Sequence, residues 1–358
     1  MCYVLLSIGG YAQIQWHNPI NTDGISCVHN QGWNEDGGNY HRFPNRAKSQ
    51  VRSDVWNLSC ESAGLAVRFV TNSKQIKVRY QATGSYSMLH MPATGVSGVD
   101  LYVWEGDTPH FCYTDYQFAD TIQFNYVVNC ANDMKGGKQY ELFLPLYNGV
   151  KWLEVGVEAN SEFSFVPVGY EKPIVAYGTS ITQGACASRP GMAWTNIVSR
   201  KLHQPVVNLG FSGNGKLEKE VIALMTELDA QVYVIDCMAN LYSRSEQEIC
   251  GLVEAAVKQI RSVRDTPILL VEHEGYSNYN TNNEWREASA KTNMALKMAY
   301  NSLLDNHVKG LYYLSKEELD PDSWVDYVHF SDYGMMQHAN AVCAKLKHIE
   351  SQTKTSRQ

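Results

Sequence analysis

The sequence has no run of about 18 or more apolar residues, so no membrane-spanning helix is expected. It has no Lys/Arg cluster either, and a formal net charge of −7 with a pI near 5.9 leaves no broad basic field to neutralise phosphates. Nucleic acid is not an expected partner. The nine cysteines include no C-x-x-C or related spacing, which argues against a cysteine metal motif. They are scattered at Cys2, Cys27, Cys60, Cys112, Cys130, Cys186, Cys237, Cys250 and Cys343. Cys237 lies in an apolar run and Cys343 in a helical pattern, where a thiol behaves as a small hydrophobe. An oxidising compartment would permit a bridge among the others, with the pairing open. There is no internal repeat, and no low-complexity tract apart from a polar tail at residues 351–358.

What is present is ordinary for a folded protein: 44% hydrophobic and 19% charged residues. At 358 residues, two domains are expected, each large enough for its own core. Residues 1–12 are short and apolar, and Gly10-Tyr11-Ala12 places small residues where a signal peptidase cuts, although a basic segment before them is missing. The segment is read as a signal-peptide remnant, with export to the periplasm or the exterior as its consequence; a frayed N-terminus is the other reading.

Two rhythms divide the rest. Over residues 13–166, stretches such as Leu65-Ala66-Val67-Arg68-Phe69, Ile76-Lys77-Val78-Arg79-Tyr80 and Leu153-Glu154-Val155-Gly156-Val157 alternate in polarity between turn residues. They predict an antiparallel β-sandwich of jelly-roll type. After a linker at 167–173 the apolar runs lose their alternation: Ile174-Val175-Ala176-Tyr177, Val206-Val207-Asn208-Leu209, Val232-Tyr233-Val234-Ile235, Ile268-Leu269-Leu270-Val271 and Leu311-Tyr312-Tyr313-Leu314. Such runs suit strands buried on both faces. Helical patterns at 194–202, 217–228, 247–264, 285–306 and 335–346 separate or follow them. Residues 173–350 are therefore predicted to form a doubly wound α/β domain on a five-stranded parallel sheet, flavodoxin-like in type.

In such a sheet, chemistry collects beyond the carboxyl ends of the strands. The first strand runs into Gly178-Thr179-Ser180, where a serine opening a helix can present its hydroxyl as a nucleophile; Ser180 or Thr182 as a plain helix cap is the alternative. Near the C-terminus, Asp326 and His329 stand three apart, so that the carboxylate can hold the imidazole in the tautomer whose Nε2 faces a serine. Gly213 can bring a backbone N–H to a substrate oxygen, and Asn240 offers an amide donor; with the Ser180 N–H they would form an oxyanion hole. As bland alternatives, Gly213 is a loop glycine of positive φ and Asn240 a strand-end turn residue. His273 lies between Glu272 and Glu274, but alternate residues of a strand face opposite ways, so no metal is expected there.

Taken in order, Gly178-Thr179-Ser180, Asn208 to Gly213, Asn240 and Asp326-x-x-His329 resemble the blocks of the SGNH (GDSL-like) hydrolase family. Thr179 replaces the aspartate of that family's name motif, and Met238-Ala239-Asn240-Leu241 lacks the usual glycine and aspartate around the asparagine. Gly98-Val99-Asp100-Leu101-Tyr102 resembles the Gly-x-Asp-Leu-Tyr domain that precedes one bacterial branch of the family. The resemblance implies a serine esterase that needs no metal or cofactor. Ser180 is the nucleophile, His329 the base, Asp326 its orienter, and Ser180, Gly213 and Asn240 the oxyanion donors. The expected substrate is a small acyl ester, above all an acetylated carbohydrate, with Trp194, Trp285 and Trp324 as flat faces for a sugar ring; for each of them a plain core or surface tryptophan is the alternative. A lipase or thioesterase for longer chains, and a noncatalytic carbohydrate-binding protein, are the alternatives.

Overall fold

The computed structural model describes residues 13–20, 24–34, 38–129, 136–316 and 319–355. The signal-peptide reading of residues 1–12, with Cys2 and Cys130, lies outside them. No disulfide joins the seven cysteines among the described residues.

The first half pairs its strands antiparallel in two sheets. One runs in the order Ile14–His17, Val150–Glu158, Gln75–Ala82, Ile122–Val127, Asp115–Gln117. The other runs Phe163–Phe165, Ala66–Thr71, Lys138–Phe143, Asp100–Glu105, Thr108–Cys112, with Val28–His29 also beside Ala66–Thr71. Period-two patterning fixes which face points inward. Along Gln75–Ala82 every second residue is buried, and Ile76, Val78 and Tyr80 meet Phe69, Leu101 and Leu142 of the opposite sheet in one apolar core.

The second half carries five parallel strands: Ile174–Gly178, Val206–Gly210, Val232–Asp236, Ile268–Val271 and Leu311–Leu314. Their spatial order is second, first, third, fourth, fifth. The order reverses at the first strand, so the crevice of the fold opens beyond Gly178. All residues of the first four strands are buried, which explains why their apolar runs do not alternate. Helices Trp194–Leu202, Lys219–Met225, Glu246–Arg261, Asn283–Asp305 and Asp332–Thr355 follow the strands as expected, the last starting three residues before its apolar pattern.

Two features tie the halves together. Trp33, Phe43, Ala47, Val51 and Val55 are packed in the same cluster as Phe211, Leu217, Val221 and Leu228, and the Trp33 indole donates to Glu227 at 2.8 Å. A segment assigned by sequence to the sandwich thus completes the core of the α/β half, and a boundary at residue 166 does not separate two closed cores. The second feature is the Gly98–Tyr102 motif. Arg189 donates to the Asp100 carboxylate at 2.6 Å and to the Tyr102 hydroxyl at 2.7 Å, while the Gly191 N–H donates to the same Asp100 oxygen at 2.8 Å. The aspartate and tyrosine of the motif act as a clasp onto the α/β half.

Candidate active site

Beyond the first strand the chain turns sharply into a one-turn helix, Ser180–Gln183. Thr179 caps it, its hydroxyl accepting the Ile181 N–H at 3.3 Å. The turn requires glycine at position 178: a Cβ there would stand 2.0 Å from Thr182 Oγ1 and 2.7 Å from the Asp236 carbonyl oxygen. Thr182 in turn donates to Asp236 at 2.9 Å, which moors the helix to the end of the third strand. Ser180 heads this helix and is 7% exposed.

The segment before the last helix brings the imidazole to that serine. Val325 N–H donates to the His329 carbonyl at 2.9 Å, closing a tight loop. Inside it, Asp326 Oδ1 accepts the N–H groups of Val328 and His329, both at 2.8 Å, and Oδ2 lies 2.7 Å from His329 Nδ1. A carboxylate partner assigns the proton to Nδ1, so Nε2, 2.9 Å from Ser180 Oγ, is the acceptor. The three-residue spacing is thus needed for one aspartate both to cap its own turn and to hold the ring. Burial pushes the Asp326 carboxyl up, but the two N–H groups and the imidazole outweigh it and hold the group below the usual carboxylate range.

The expected oxyanion donors lie on the neighbouring loops. Gly213 has φ +67°, is exposed, and has open space around its Cβ position. Asn240 ends the short turn after the third strand; its Oδ1 accepts the Gly215 N–H at 3.0 Å, which leaves its NH2 end as a donor. Gly215, from the neighbouring loop, thus orients the Asn240 amide. Beneath the site, Asn208 donates to the Thr182 carbonyl at 2.7 Å and to Thr195 at 2.9 Å. Asp236 also faces His338, whose Nδ1 lies 2.7 Å from Glu274. Burial works against the His338 charge, yet Glu274 and Asp236 raise its pKa above the ordinary histidine value.

The tryptophan expectation needs correction. Trp194 is fully buried, in the cluster of Ile174, Ile197 and Val198, and presents no face to a ligand. Its spacing to Ile197 and Val198 is that of a helix face turned to the sheet. Trp324 is half-buried with its ring edge-on to Phe330, 5.1 Å between centroids, against the same core. Trp285 is half-buried in an aromatic cluster with Tyr242, Tyr276 and Tyr327, and its ring lies 5.3 Å from that of Tyr327, two residues before His329. Trp324 flanks the same loop in sequence but turns its ring to Phe330, whereas Trp285 packs its ring on a side chain of that loop.

The structure adds a residue that the sequence did not single out. His90, exposed on a loop of the sandwich, stacks on His329 with centroids 5.7 Å apart and planes 17° from parallel. Its contact spans more than 200 positions of chain and carries no local signal. With Cys186 the two histidines bring three ligand-type atoms within 4.8 Å of one another. Both nitrogens of His329 already face Asp326 and Ser180, however, and Cys186 Sγ is hydrogen-bonded to the His90 carbonyl at 3.4 Å. At the fourth strand Glu272 turns to the Tyr313 hydroxyl and the Lys316 N–H, whereas Glu274 turns to His338, so the two carboxylates flanking His273 serve different neighbours.

The profile of the GDSL-like lipase/acylhydrolase family matches residues 171–347, and that of the GxDLY N-terminus of SGNH-hydrolase-type esterases matches residues 14–163. No curated protein matches the chain. Among solved structures, a protein named as a GDSL-like lipase from Bacteroides ovatus ATCC 8483 is 29% identical, with a TM-score of 0.86 over 95% of this chain and 98% of its own. A salicylyl-acyltransferase from a tetracycline biosynthetic pathway shares the fold at 17% identity, TM-score 0.70, over 94% and 98%. So does an acetyl xylan esterase from the rumen bacterium Butyrivibrio proteoclasticus, at 9% identity, TM-score 0.55, over 93% and 98%. The chain thus carries a GDSL-like lipase/acylhydrolase domain preceded by the GxDLY domain of SGNH-hydrolase-type esterases, and is a carboxylic ester hydrolase.

Proposed function

We propose that this esterase removes short acyl groups, acetyl above all, from carbohydrates through an acyl-enzyme on Ser180. The observation that carries the chemistry is the relay of 2.9 Å from Ser180 Oγ to His329 Nε2 and 2.7 Å from Nδ1 to Asp326. His329 takes the hydroxyl proton as Oγ attacks the ester carbonyl, and Asp326 stabilises the imidazolium that forms. The N–H groups of Ser180 and Gly213 and the Asn240 amide receive the developing oxyanion. The tetrahedral intermediate expels the alcohol, to which His329 returns the proton. Water, activated by the same imidazole, then releases the acid and restores Ser180.

For the substrate, the surroundings of the relay favour a sugar over a long acyl tail. His90 lines one side and Tyr327, Tyr242 and Trp285 stand beside the histidine loop, combining aromatic surface with hydroxyl and imidazole groups. The fold shared with an acetyl xylan esterase agrees with this choice. Exposed Met88 and Leu89 next to His90 favour the second reading, a lipase or thioesterase for longer chains. An intact relay speaks against a purely noncatalytic carbohydrate binder. A polymeric sugar substrate also fits export, the expectation drawn from residues 1–12.

A panel of p-nitrophenyl esters of increasing length, run beside acetylated mono- and oligosaccharides, tests the proposal. Acetyl esters should be cleaved much faster than octanoyl esters, and acetylated sugars better than simple alkyl acetates. A rate that climbs with chain length would move the enzyme to the lipase reading.

A further inference from the structure

The glycine loop that carries Gly213 is gripped from the N-terminal half of the chain. Gln183, the last residue of the serine helix, is buried, and its amide bridges two regions. Its Oε1 accepts the Ser212 N–H at 3.0 Å, while its Nε2 donates to the Glu61 carboxylate and to the Leu146 carbonyl, the latter at 3.2 Å. A backbone N–H can only donate and a backbone carbonyl can only accept, so the Ser212 and Leu146 partners by themselves permit one orientation of the amide. At the other end of the same loop, the buried Arg42 guanidinium donates to the carbonyl oxygens of Gly210 at 2.5 Å and Asn208 at 3.3 Å. Arg42 is itself fixed by the Glu61 carbonyl at 2.9 Å and the Leu58 carbonyl at 2.6 Å. Carbonyls before Phe211 and the N–H after it are therefore both held by groups that Glu61 and Arg42 set in place.

We propose that Glu61 and Arg42 are positioning residues for the oxyanion hole: through Gln183 and the Asn208–Gly210 carbonyls they hold the Ser212–Gly213 peptide where its N–H meets the transition-state oxygen. The inference rests on the reading of Gly213 as an oxyanion donor. Within its own loop Gly213, at φ +67° and without packing around its Cβ position, is held by Asn214, whose amide donates to the Ser212 carbonyl at 2.9 Å and whose N–H donates to the Phe211 carbonyl at 2.8 Å. The grip on the Ser212 N–H and the Gly210 carbonyl adds the hold from outside the loop. An N-terminal half that looks dispensable for acyl transfer thus completes the site that performs it.

The variant that tests this is Glu61→Ala in the full chain, beside Glu61→Gln, whose amide oxygen can still accept from Gln183. Removing an oxyanion donor outright costs about 10²–10³ in kcat, so loosening one is expected to cost ~10–100-fold. With p-nitrophenyl acetate, Glu61→Ala should lose that factor in kcat with KM held within about two-fold, since the ground-state carbonyl depends little on the donor. Affinity for a trifluoromethyl ketone, which forms a tetrahedral oxyanion on the serine, should fall by the same factor, and Glu61→Gln should recover most of the loss. Should Glu61→Ala fail to fold, Gln183→Met keeps the volume, removes both ends of the bridge, and should show the same split. Unchanged kcat and ketone affinity, a rise in KM alone, or a Gln variant as impaired as the Ala variant would overturn the proposal. An inactive wild-type protein, or a Ser180→Ala variant as active as wild type, would instead overturn the esterase mechanism on which it rests.

Discussion

Asp326 uses its two oxygens for different tasks, and that division predicts what an amide would do in its place. Oδ1 receives two backbone N–H groups and must stay an acceptor; in Asp326→Asn the NH2 end therefore faces His329 Nδ1. Nδ1 then has to accept, the proton moves to Nε2, and the imidazole can no longer take a proton from Ser180. The loss in kcat should be on the order of 10⁴, with the fold retained, as steady-state kinetics beside circular dichroism would show. Asn240→Ala should lower kcat by about 10²–10³ and leave KM in place, because the amide serves the oxyanion more than the ground-state carbonyl. A rise in KM with kcat untouched would assign Asn240 to substrate binding. At this scale much of the site was legible, since Ser180, Asp326 and His329 sit in short blocks with a recognisable order. His90, Glu61 and Gln183 were not, because their contacts join distant stretches of chain. For Trp194 the bland alternative holds: the helical spacing that places it with Ile197 and Val198 buries the ring in the core.

Among the elements, the turn from the first strand into the serine helix tolerates least. Gly178→Ala would force a Cβ against Thr182 Oγ1 and the backbone carbonyl of Asp236, and only the threonine can rotate away. We expect a cost of roughly 1–3 kcal/mol in urea unfolding, typical of overpacking, together with reduced kcat because the shifted helix carries Ser180. A variant of wild-type stability and activity would mean that the turn has slack the contacts do not show. The parallel strands were legible because burial on both faces removes alternation, and the long helices because they repeat every three to four residues. The short helix Ser180–Gln183 has too few residues for a period, so it was visible only through the motif it contains.

For the molecule as a whole, the two rhythms located the two halves, yet they concealed how far the first reaches into the second. Asp100 and Tyr102 clasp Arg189, and the segment with Trp33, Phe43 and Val55 packs into the α/β core, contacts that no local pattern announces. The junction also has a pH signature. Burial raises the Glu61 carboxyl to about 7, against the opposing pull of Arg42 and Gln183. Between the ordinary value near 4.5 and about 7, the folded protein keeps a proton that the unfolded chain has released, so this group makes stability fall as pH rises through that window. Glu61→Gln cannot titrate, and its melting temperature relative to wild type should improve between about pH 4.5 and about pH 7; a constant difference would contradict the assignment. The central claim, that the family fold here works through an acyl-enzyme on Ser180, has a more direct test. Protein mixed with p-nitrophenyl acetate, quenched in acid before steady state and mapped by peptide mass spectrometry, should carry one acetyl group on Ser180 alongside a burst of nitrophenol, with neither in Ser180→Ala. Acetylation confined to another residue, or turnover in Ser180→Ala equal to that of the wild type, would contradict it.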